Sequence, residues 1–131
     1  MNILPPAPRP CVSCPYREDV PSGVWAEEEY AKLPDYDREM AFQPLAVFMC
    51  HQADGRLCAG WLACHGGENL LSIRMTVGLG RITPDVEDYT TDVPLFHSGQ
   101  EACEHGLARI DNPPQAARKM VEKLDRKQGR K

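Results

Sequence analysis

The sequence predicts an α+β fold: a small single domain of short helices plus a short strand or hairpin, built around a four-cysteine metal site. Three observations lead to this prediction. The 131 residues suit one domain, helix-capping patterns alternate with one short apolar run, and a CxxC pair stands among six cysteines. We expect a proline-rich arm over residues 1–10, the metal-stapled domain over 11–128 and a basic tail over 129–131.

Two helices are predicted in the first two thirds of the chain. The first covers about residues 23–33, with Ser22 as its N-cap and Pro34 at its end. The second covers residues 68–80, which are rich in Leu, Ile and Met. Its two glycines and the Thr-Val pair weaken the helical pattern.

Two further helices are predicted near the C-terminus. Ser98 and Glu101 form a capping-box pattern that opens a short helix, and Gly106 is expected to close it. Asn112 and Pro113 are expected to start the last helix. That helix carries one apolar stripe at helical spacing, formed by Ala117, Met120, Val121 and Leu124.

The apolar run at residues 45–50 follows a proline and fits a buried strand that leads directly to Cys50. Asp54-Gly55 is a turn signal, so we expect the chain to loop back and return at Cys58. The acidic stretch over residues 83–97 is predicted to be a long loop.

Composition restricts the cellular setting. The longest apolar run has six residues, far below the roughly 18 needed to cross a membrane. The start of the chain has neither a basic segment nor an apolar segment typical of a secretory signal. We therefore expect a cytoplasmic protein without membrane contact, whose thiols stay reduced.

The cysteines give the main functional prediction. Cys11 and Cys14 are separated by two residues, a spacing that lets both thiolates turn toward one ion. A tetrahedral site needs two more ligands, and the preferred ones are Cys50 and Cys58. Their spacing matches no standard zinc finger, so we expect a site assembled across the fold from a helix and a strand.

Three other residues are further candidate ligands. Cys64 and His65 could replace one of the four cysteines, or Cys64 could add a fifth thiol near the metal. His51 follows Cys50 directly and would point elsewhere on a strand, so it is interpreted as a hydrogen-bond donor to the site or an exposed side chain. Cys103 lies within a predicted helix without a nearby cysteine and is interpreted as a packing residue.

The ligand type leaves two cofactors open. Four thiolates suit Zn²⁺ or an iron–sulfur cluster. Zinc is the commoner structural ion, and a closed four-thiolate site would stabilise a domain with a modest core. The Cys14-Pro15 pair is typical of the end of ferredoxin cysteine runs, which favours iron–sulfur.

Four separated motifs occur in one order along the chain: CVSCPYR from Cys11, PSGVW from Pro21, FMCHQ from Phe48 and CAGW from Cys58. In these motifs the chain resembles an uncharacterised family of small proteins from actinobacteria and their phages, catalogued as a domain of unknown function. The resemblance implies metal-type cysteines at the same four positions, and it implies no reaction. The chain is more distantly similar to the WhiB-type iron–sulfur proteins, but Val20 stands where their third cysteine would be.

Charge is distributed unevenly. The chain carries 15 basic and 19 acidic residues, for a net charge of −4. Residues 113–131 hold seven bases and two acids, net +5, so the remainder carries −9. The acidic total favours another protein as partner, while the basic C-terminal helix leaves nucleic acid open.

Catalytic motifs are not apparent in the sequence. It contains no phosphate-binding glycine loop, no HExxH and no GxSxG. A small metal-binding accessory or regulatory protein, with a mainly structural metal, is therefore the preferred function. An iron–sulfur or thiol-based redox sensor or enzyme is the alternative.

Overall fold

The regular structure is helical throughout the part of the chain that a computed structural model describes, residues 3–50 and 55–127. The α-helices are α1 (Glu27–Ala31), α2 (Ala59–His65), α3 (Leu71–Gly78), α4 (Gly99–Leu107) and α5 (Gln115–Lys127). Short 3₁₀ turns cover Leu33–Asp37, Met40–Phe42, Gly67–Asn69 and Pro84–Asp88.

The predicted α+β class is wrong, because no strand occurs within residues 3–50 or 55–127. In the run expected to be a strand, Leu45 is 69% exposed, and only Phe48 is buried. Met49 forms an isolated antiparallel bridge with Leu57, and Leu4 forms a parallel one with Arg56. The Leu4 bridge is not extended because Pro5 has no N–H, and the Met49 bridge ends because the segment opposite it enters α2 at Ala59.

The first predicted helix is shorter than expected and is not capped by Ser22. α1 has Ala26 at its N-cap position, without a side-chain cap. The Ser22 hydroxyl instead donates to the carbonyl of Gly106 (3.0 Å) and accepts from the N–H of Arg109 (2.8 Å). Pro34 does not end the helical segment, since it lies in the first turn of the following 3₁₀ turn, where a proline needs no N–H partner.

The Ser98 cap of α4 is confirmed, and the Glu101 side chain reaches back one residue beyond this N-cap. The Ser98 hydroxyl accepts from the N–H of Glu101 (3.1 Å), and the Glu101 carboxylate accepts from the N–H of His97 (2.8 Å). Gly106 does not close the helix, which continues to Leu107. A side chain at this position would overlap the ring of Tyr30, so glycine here allows α1 to pack closely against α4.

The remaining helices match their predictions with changed boundaries. α3 occupies Leu71–Gly78 within the predicted 68–80, and a 3₁₀ turn at Pro84–Asp88 interrupts the predicted loop. α5 begins at Gln115, so the predicted start at Asn112 and Pro113 is wrong. The apolar stripe of α5 is confirmed: Ala117 and Leu124 are buried against Val20 and Val24, with Met120 and Val121 partly buried beside them. Among the described residues, every helix is too short or too polar to span a membrane.

The main core is built around α2, a helix that the sequence analysis did not predict. Trp61 and Leu62 of α2 are fully buried. The Trp61 ring packs edge-on against Tyr36, with ring centroids 5.3 Å apart. Cys103 also lies in this core, as expected for a packing thiol. The segment before α2 and the N-terminal cysteine segment therefore meet at the same core.

Candidate metal centre

The CxxC segment forms a tight turn. The N–H of Cys14 donates to the carbonyl of Cys11 (3.0 Å), and the N–H of Arg17 donates to the carbonyl of Cys14 (3.0 Å). The indole N–H of Trp25 donates to the carbonyl of Ser13 (2.7 Å) and ties the turn to the segment before α1. Cys14 is buried and Cys11 is half-buried, so one thiol is enclosed while the other lies near the surface.

Cys50 and Cys58 lie on either side of the short chain reversal. The N–H of Cys50 donates to the carbonyl of Arg56 (2.8 Å), and the N–H of Cys58 donates to the carbonyl of Phe48 (3.0 Å). Cys58 is also the N-cap of α2, where its sulfur accepts from the N–H of Trp61 (3.5 Å). The predicted strand does not form, so the loop and the helix cap position these two thiols.

The structure brings the four predicted cysteines into one chain of contacts. The sulfurs of Cys14 and Cys58 lie 3.8 Å apart, although 44 residues separate them in sequence. The Cys11 sulfur lies 3.9 Å from the Ser13 hydroxyl, and the pKa of the Cys11 thiol is shifted by both Cys14 and Cys50, so these three thiols are near one another. Three distant segments of the chain thus place thiols next to one another, in the order Cys50, Cys11, Cys14, Cys58.

Gly60 makes the Cys14–Cys58 contact sterically feasible. A Cβ at position 60 would overlap the sulfur of Cys14 and would lie 3.1 Å from the Cβ of Tyr16. The first turn of α2 therefore packs directly on the buried thiol. The sequence analysis placed Gly60 beside Cys58 but gave it no role against Cys14.

The 3.8 Å separation of Cys14 and Cys58 can be compared with metal geometry. Two thiolates bound to one tetrahedral zinc at about 2.3 Å have sulfurs about 3.8 Å apart. Two thiols in van der Waals contact have a similar separation, so this distance fits a shared ion without requiring one. Within residues 3–50 and 55–127, no group of three or more His, Cys, Asp or Glu side chains is arranged to hold a metal ion.

Burial and contact between thiols raise the pKa of two of the four cysteines, Cys11 and Cys14. For Cys14, the hydrogen bond with Cys11 lowers the pKa, but the Cys58 thiol and burial outweigh it and raise the pKa well above its usual value. For Cys11, the hydrogen bond with Cys14 raises the pKa and the one with Cys50 lowers it, and burial contributes to a net rise. A bound cation would reverse these directions, because metal ligands are thiolates.

Cys64 and His65 lie apart from this chain of thiol contacts. His65 Nε2 is 3.2 Å from the Tyr16 hydroxyl, and its Nδ1 is 3.7 Å from a carboxylate oxygen of Asp37. Burial lowers the pKa of His65, and the Asp37 carboxylate opposes this shift. Burial raises the pKa of the Cys64 thiol to about 12. His51, the other candidate, lies outside the described residues.

Asp37 and Tyr16 were not selected from the sequence. The Asp37 carboxylate accepts from the N–H groups of Gly99 and Gln100, both at 2.7 Å, and so satisfies two free donors at the start of α4. Tyr16 is completely buried and reaches His65 on α2. Tyr16 directly follows the CxxC-Pro segment, and this position could have marked it as part of the site. Nothing in the local sequence around Asp37 indicates that it caps α4.

A comparison with sequence families gives a match over nearly the whole chain. A model described as a family of unknown function, DUF6283, matches residues 6–126. The chain belongs to DUF6283. All six cysteines of this DUF6283 protein lie within the matched range. No curated protein and no solved structure matches the chain.

Proposed function

We propose that this DUF6283 protein binds one structural metal ion, Zn²⁺, through the thiolates of Cys11, Cys14, Cys50 and Cys58. In this proposal it acts as an accessory or regulatory protein by contacting another macromolecule. The observation that carries the proposal is the chain of thiol contacts among these four residues. The four sequence motifs that contain or adjoin these cysteines lead us to expect an actinobacterial or phage source. The composition of the chain leads us to expect a cytoplasmic location.

A single ion explains the convergence better than isolated thiols do. A buried pair of thiols gains little from packing two weak donors together, whereas a shared cation would link the N-terminal segment to α2 across 44 residues. Binding energy at such a site is folding energy, because the unfolded chain has no preformed site. Cys11 and Cys50 would have to move toward Cys14 and Cys58 to complete a four-ligand shell, because the described residues hold no group of three or more metal ligands.

The sulfur spacing of Cys14 and Cys58 favours two ligands of the same metal atom. In a four-iron cluster each cysteine binds its own iron, so the cysteine sulfurs lie farther apart than two ligands of the same ion. Cys14 and Cys58, at 3.8 Å, fit two ligands of one tetrahedral ion. This separation does not fit a four-iron cluster, whereas a two-iron cluster, in which two cysteines share each iron, fits it as well as zinc does. Zinc is preferred in the proposal because it is the commoner structural ion.

Metal analysis of protein purified without oxygen tests the proposal. We expect a colourless protein with one zinc per chain, which a chelator removes with loss of cooperative unfolding. A brown protein that contains iron and sulfide would show that the cofactor is an iron–sulfur cluster and not zinc. A protein that folds cooperatively without any metal would contradict the metal centre altogether.

Two cysteine variants locate the site. Cys14→Ser removes a central member of the contact chain, so we expect loss of zinc and a largely unfolded protein. Cys103→Ser is the matched control, because Cys103 is also a buried thiol but lies in α4. It should keep one zinc per chain. A folded, zinc-loaded Cys14→Ser protein would contradict the ligand assignment.

A second candidate function is thiol redox sensing, which the contact between Cys14 and Cys58 favours. An oxidant such as peroxide would take two electrons and two protons from these thiols and form one disulfide. Both residues are at most 3% exposed, and buried protonated thiols react slowly. Mass spectrometry after peroxide treatment distinguishes the functions, since a rapid loss of two mass units in the chelator-treated protein would support sensing.

A further inference from the structure

Helix α5 carries a cationic face on the side opposite its buried stripe. At about 100° per residue, the four basic residues of this face fall within one 140° sector, and the apolar stripe is centred on the opposite side. The face consists of Arg118, Lys119, Lys123 and Arg126, all exposed, with one acid, Glu122, among them. The α5 basic face is therefore fixed outward by the packing of Ala117 and Leu124 against Val20 and Val24.

The stability of the helix accounts for only part of this charge: Arg126 lies in the last turn, where the helix dipole favours a cation, and Glu122 stands four residues from Arg118 and from Arg126. Among the residues that the structure describes, Lys119, Lys123 and Arg126 form no ion pair, and Arg118 contacts only the side-chain carbonyl of Asn112, at 3.1 Å. Lys119 and Lys123 are four residues apart, a like-charge spacing that destabilises a helix. The first turn also lacks the acids that the helix dipole favours. A partner that supplies negative charge would compensate these costs.

The composition of the face indicates which partner. Protein interfaces have an apolar, often aromatic centre, but the exposed large apolar side chains of the described chain all lie outside α5. A face of cations without apolar contacts suits phosphate groups, which bind Lys and Arg through charge alone. The local surface therefore favours nucleic acid, although the net charge of the chain is −4.

The spacing fits a duplex. Residues 118–126 span about 12 Å along the helix axis, and one strand of B-DNA presents three to four phosphates over that length. The four cations lie within one face of a rigid helix, which can be laid against the regular backbone of a duplex. We propose that the α5 basic face docks on the phosphate backbone of double-stranded DNA, without reading its sequence.

This DNA-docking proposal rests on the proposed function, in which the protein acts by contacting another macromolecule. It adds the identity of that macromolecule, double-stranded DNA. The two are also linked physically. α5 packs on Val20 and Val24, which follow the turn that holds Cys11 and Cys14. Metal binding would thus stabilise the segment on which the α5 basic face is mounted.

The test measures binding of the full chain to a fluorescent 20-base-pair duplex by anisotropy, from 25 to 200 mM KCl. Four phosphate contacts predict a slope of log K against log salt of about −3.6. Replacing Lys119, Lys123 and Arg126 by Gln should reduce the slope to about −0.9, and should weaken binding at 50 mM KCl by about two to three orders of magnitude.

A matched control changes the net charge equally elsewhere. Lys32, Arg38 and Arg74 lie outside α5, and each forms an ion pair with a nearby carboxylate. Replacing all three by Gln should leave the slope of log K against log salt near about −3.6. If the control variant loses as much binding as the α5 variant, or if the α5 variant binds like the wild type, the proposal is wrong. If poly-glutamate displaces the duplex at equal charge concentration, the face binds acidic protein and the DNA proposal is likewise wrong.

Metal content and circular dichroism are measured on the same variants. Both triple variants should keep the wild-type zinc content and helicity. If zinc is present and the α5 variant binds DNA normally, only the docking proposal fails. If the protein holds no zinc but the α5 variant still loses DNA binding against its control, the metal centre fails and the docking surface stands.

Discussion

Replacing Gly60 by Ala tests the packing of α2 against the thiol chain. An added Cβ would overlap the Cys14 sulfur and would lie 3.1 Å from the Cβ of Tyr16. Cys14 and Tyr16 are 1% and 0% exposed, so neither can move aside into solvent. The sulfur must shift away from Cys58, or the start of α2 must move.

The expected magnitude combines two opposing effects. Alanine in a helix is favoured over glycine by about 1 kcal/mol. Overpacking a close-packed core costs about 1–3 kcal/mol. The overlap of the new Cβ with the Cys14 sulfur belongs at the upper end of this range, because both atoms are fully buried. We therefore expect Gly60→Ala to lower the free energy of unfolding by about 1–2 kcal/mol, and to weaken zinc binding at least tenfold.

Gly78→Ala provides the matched control. Gly78 is also a helical glycine, in α3, but a Cβ there would meet nothing within 4 Å. Only the helix-propensity effect remains, so the free energy of unfolding should rise by up to about 1 kcal/mol. Urea unfolding under reducing conditions measures both stabilities, and competition with a chromophoric chelator measures zinc affinity.

Two results would refute the reasoning. If Gly60→Ala is as stable as Gly78→Ala, the close approach of α2 to Cys14 does not exist in solution. If Gly60→Ala is destabilised but binds zinc like the wild type, the displaced Cys14 sulfur is not a ligand.

Three further predictions concern the surrounding structure. Cys103→Ser should lower the free energy of unfolding by about 1–2 kcal/mol, because a buried thiol becomes a hydroxyl, while metal analysis finds zinc unchanged. Because the pKa of His65 is lowered from 6.5 in the folded chain, the unfolded chain binds more protons below pH 6.5, so stability should fall as pH decreases from there. Urea titrations at pH 7.5 and 5.5 should show that the free energy of unfolding decreases less in the His65→Gln variant than in the wild type. A decrease as large as that of the wild type would exclude His65 as the source of the pH dependence. Tyr30→Phe should lower the free energy of unfolding by about 2–3 kcal/mol in urea, since the Tyr30 hydroxyl accepts from the N–H groups of residues 24 and 25; a loss below 0.5 kcal/mol would contradict these bonds.

Features that depend on nearby residues were predicted well. The Ser98 cap of α4 and the apolar stripe of α5 both depend on spacings of three or four residues, and the structure has both. The contact between Cys14 and Cys58 joins two of the four cysteines chosen from the sequence. Their role as metal ligands remains a prediction.

Features that depend on distant partners were predicted poorly. Residues 45–50 have the composition of a strand, but a strand needs a neighbouring segment that can donate and accept along its length, and the segment opposite Met49 enters α2 at Ala59. Ser22 has a good sequence context for a helix cap, yet Gly106 and Arg109, more than 80 residues away, take its hydrogen bonds. α2 was missed because glycine, tryptophan, cysteine and histidine make up four of its seven residues and give no clear helical signal.

The sequence alone determined which thiols are available, where α4 begins and which side of α5 is apolar, because each follows from residue type and local spacing. Only the tertiary structure decided that the class is helical, that Gly60 lies against Cys14, and that Tyr16, His65 and Asp37 form one network. The physical reason is that burial and hydrogen bonding are satisfied by whichever groups the packed chain brings together. For Cys14 and Cys58 those groups are 44 residues apart, a distance over which local pattern carries no information.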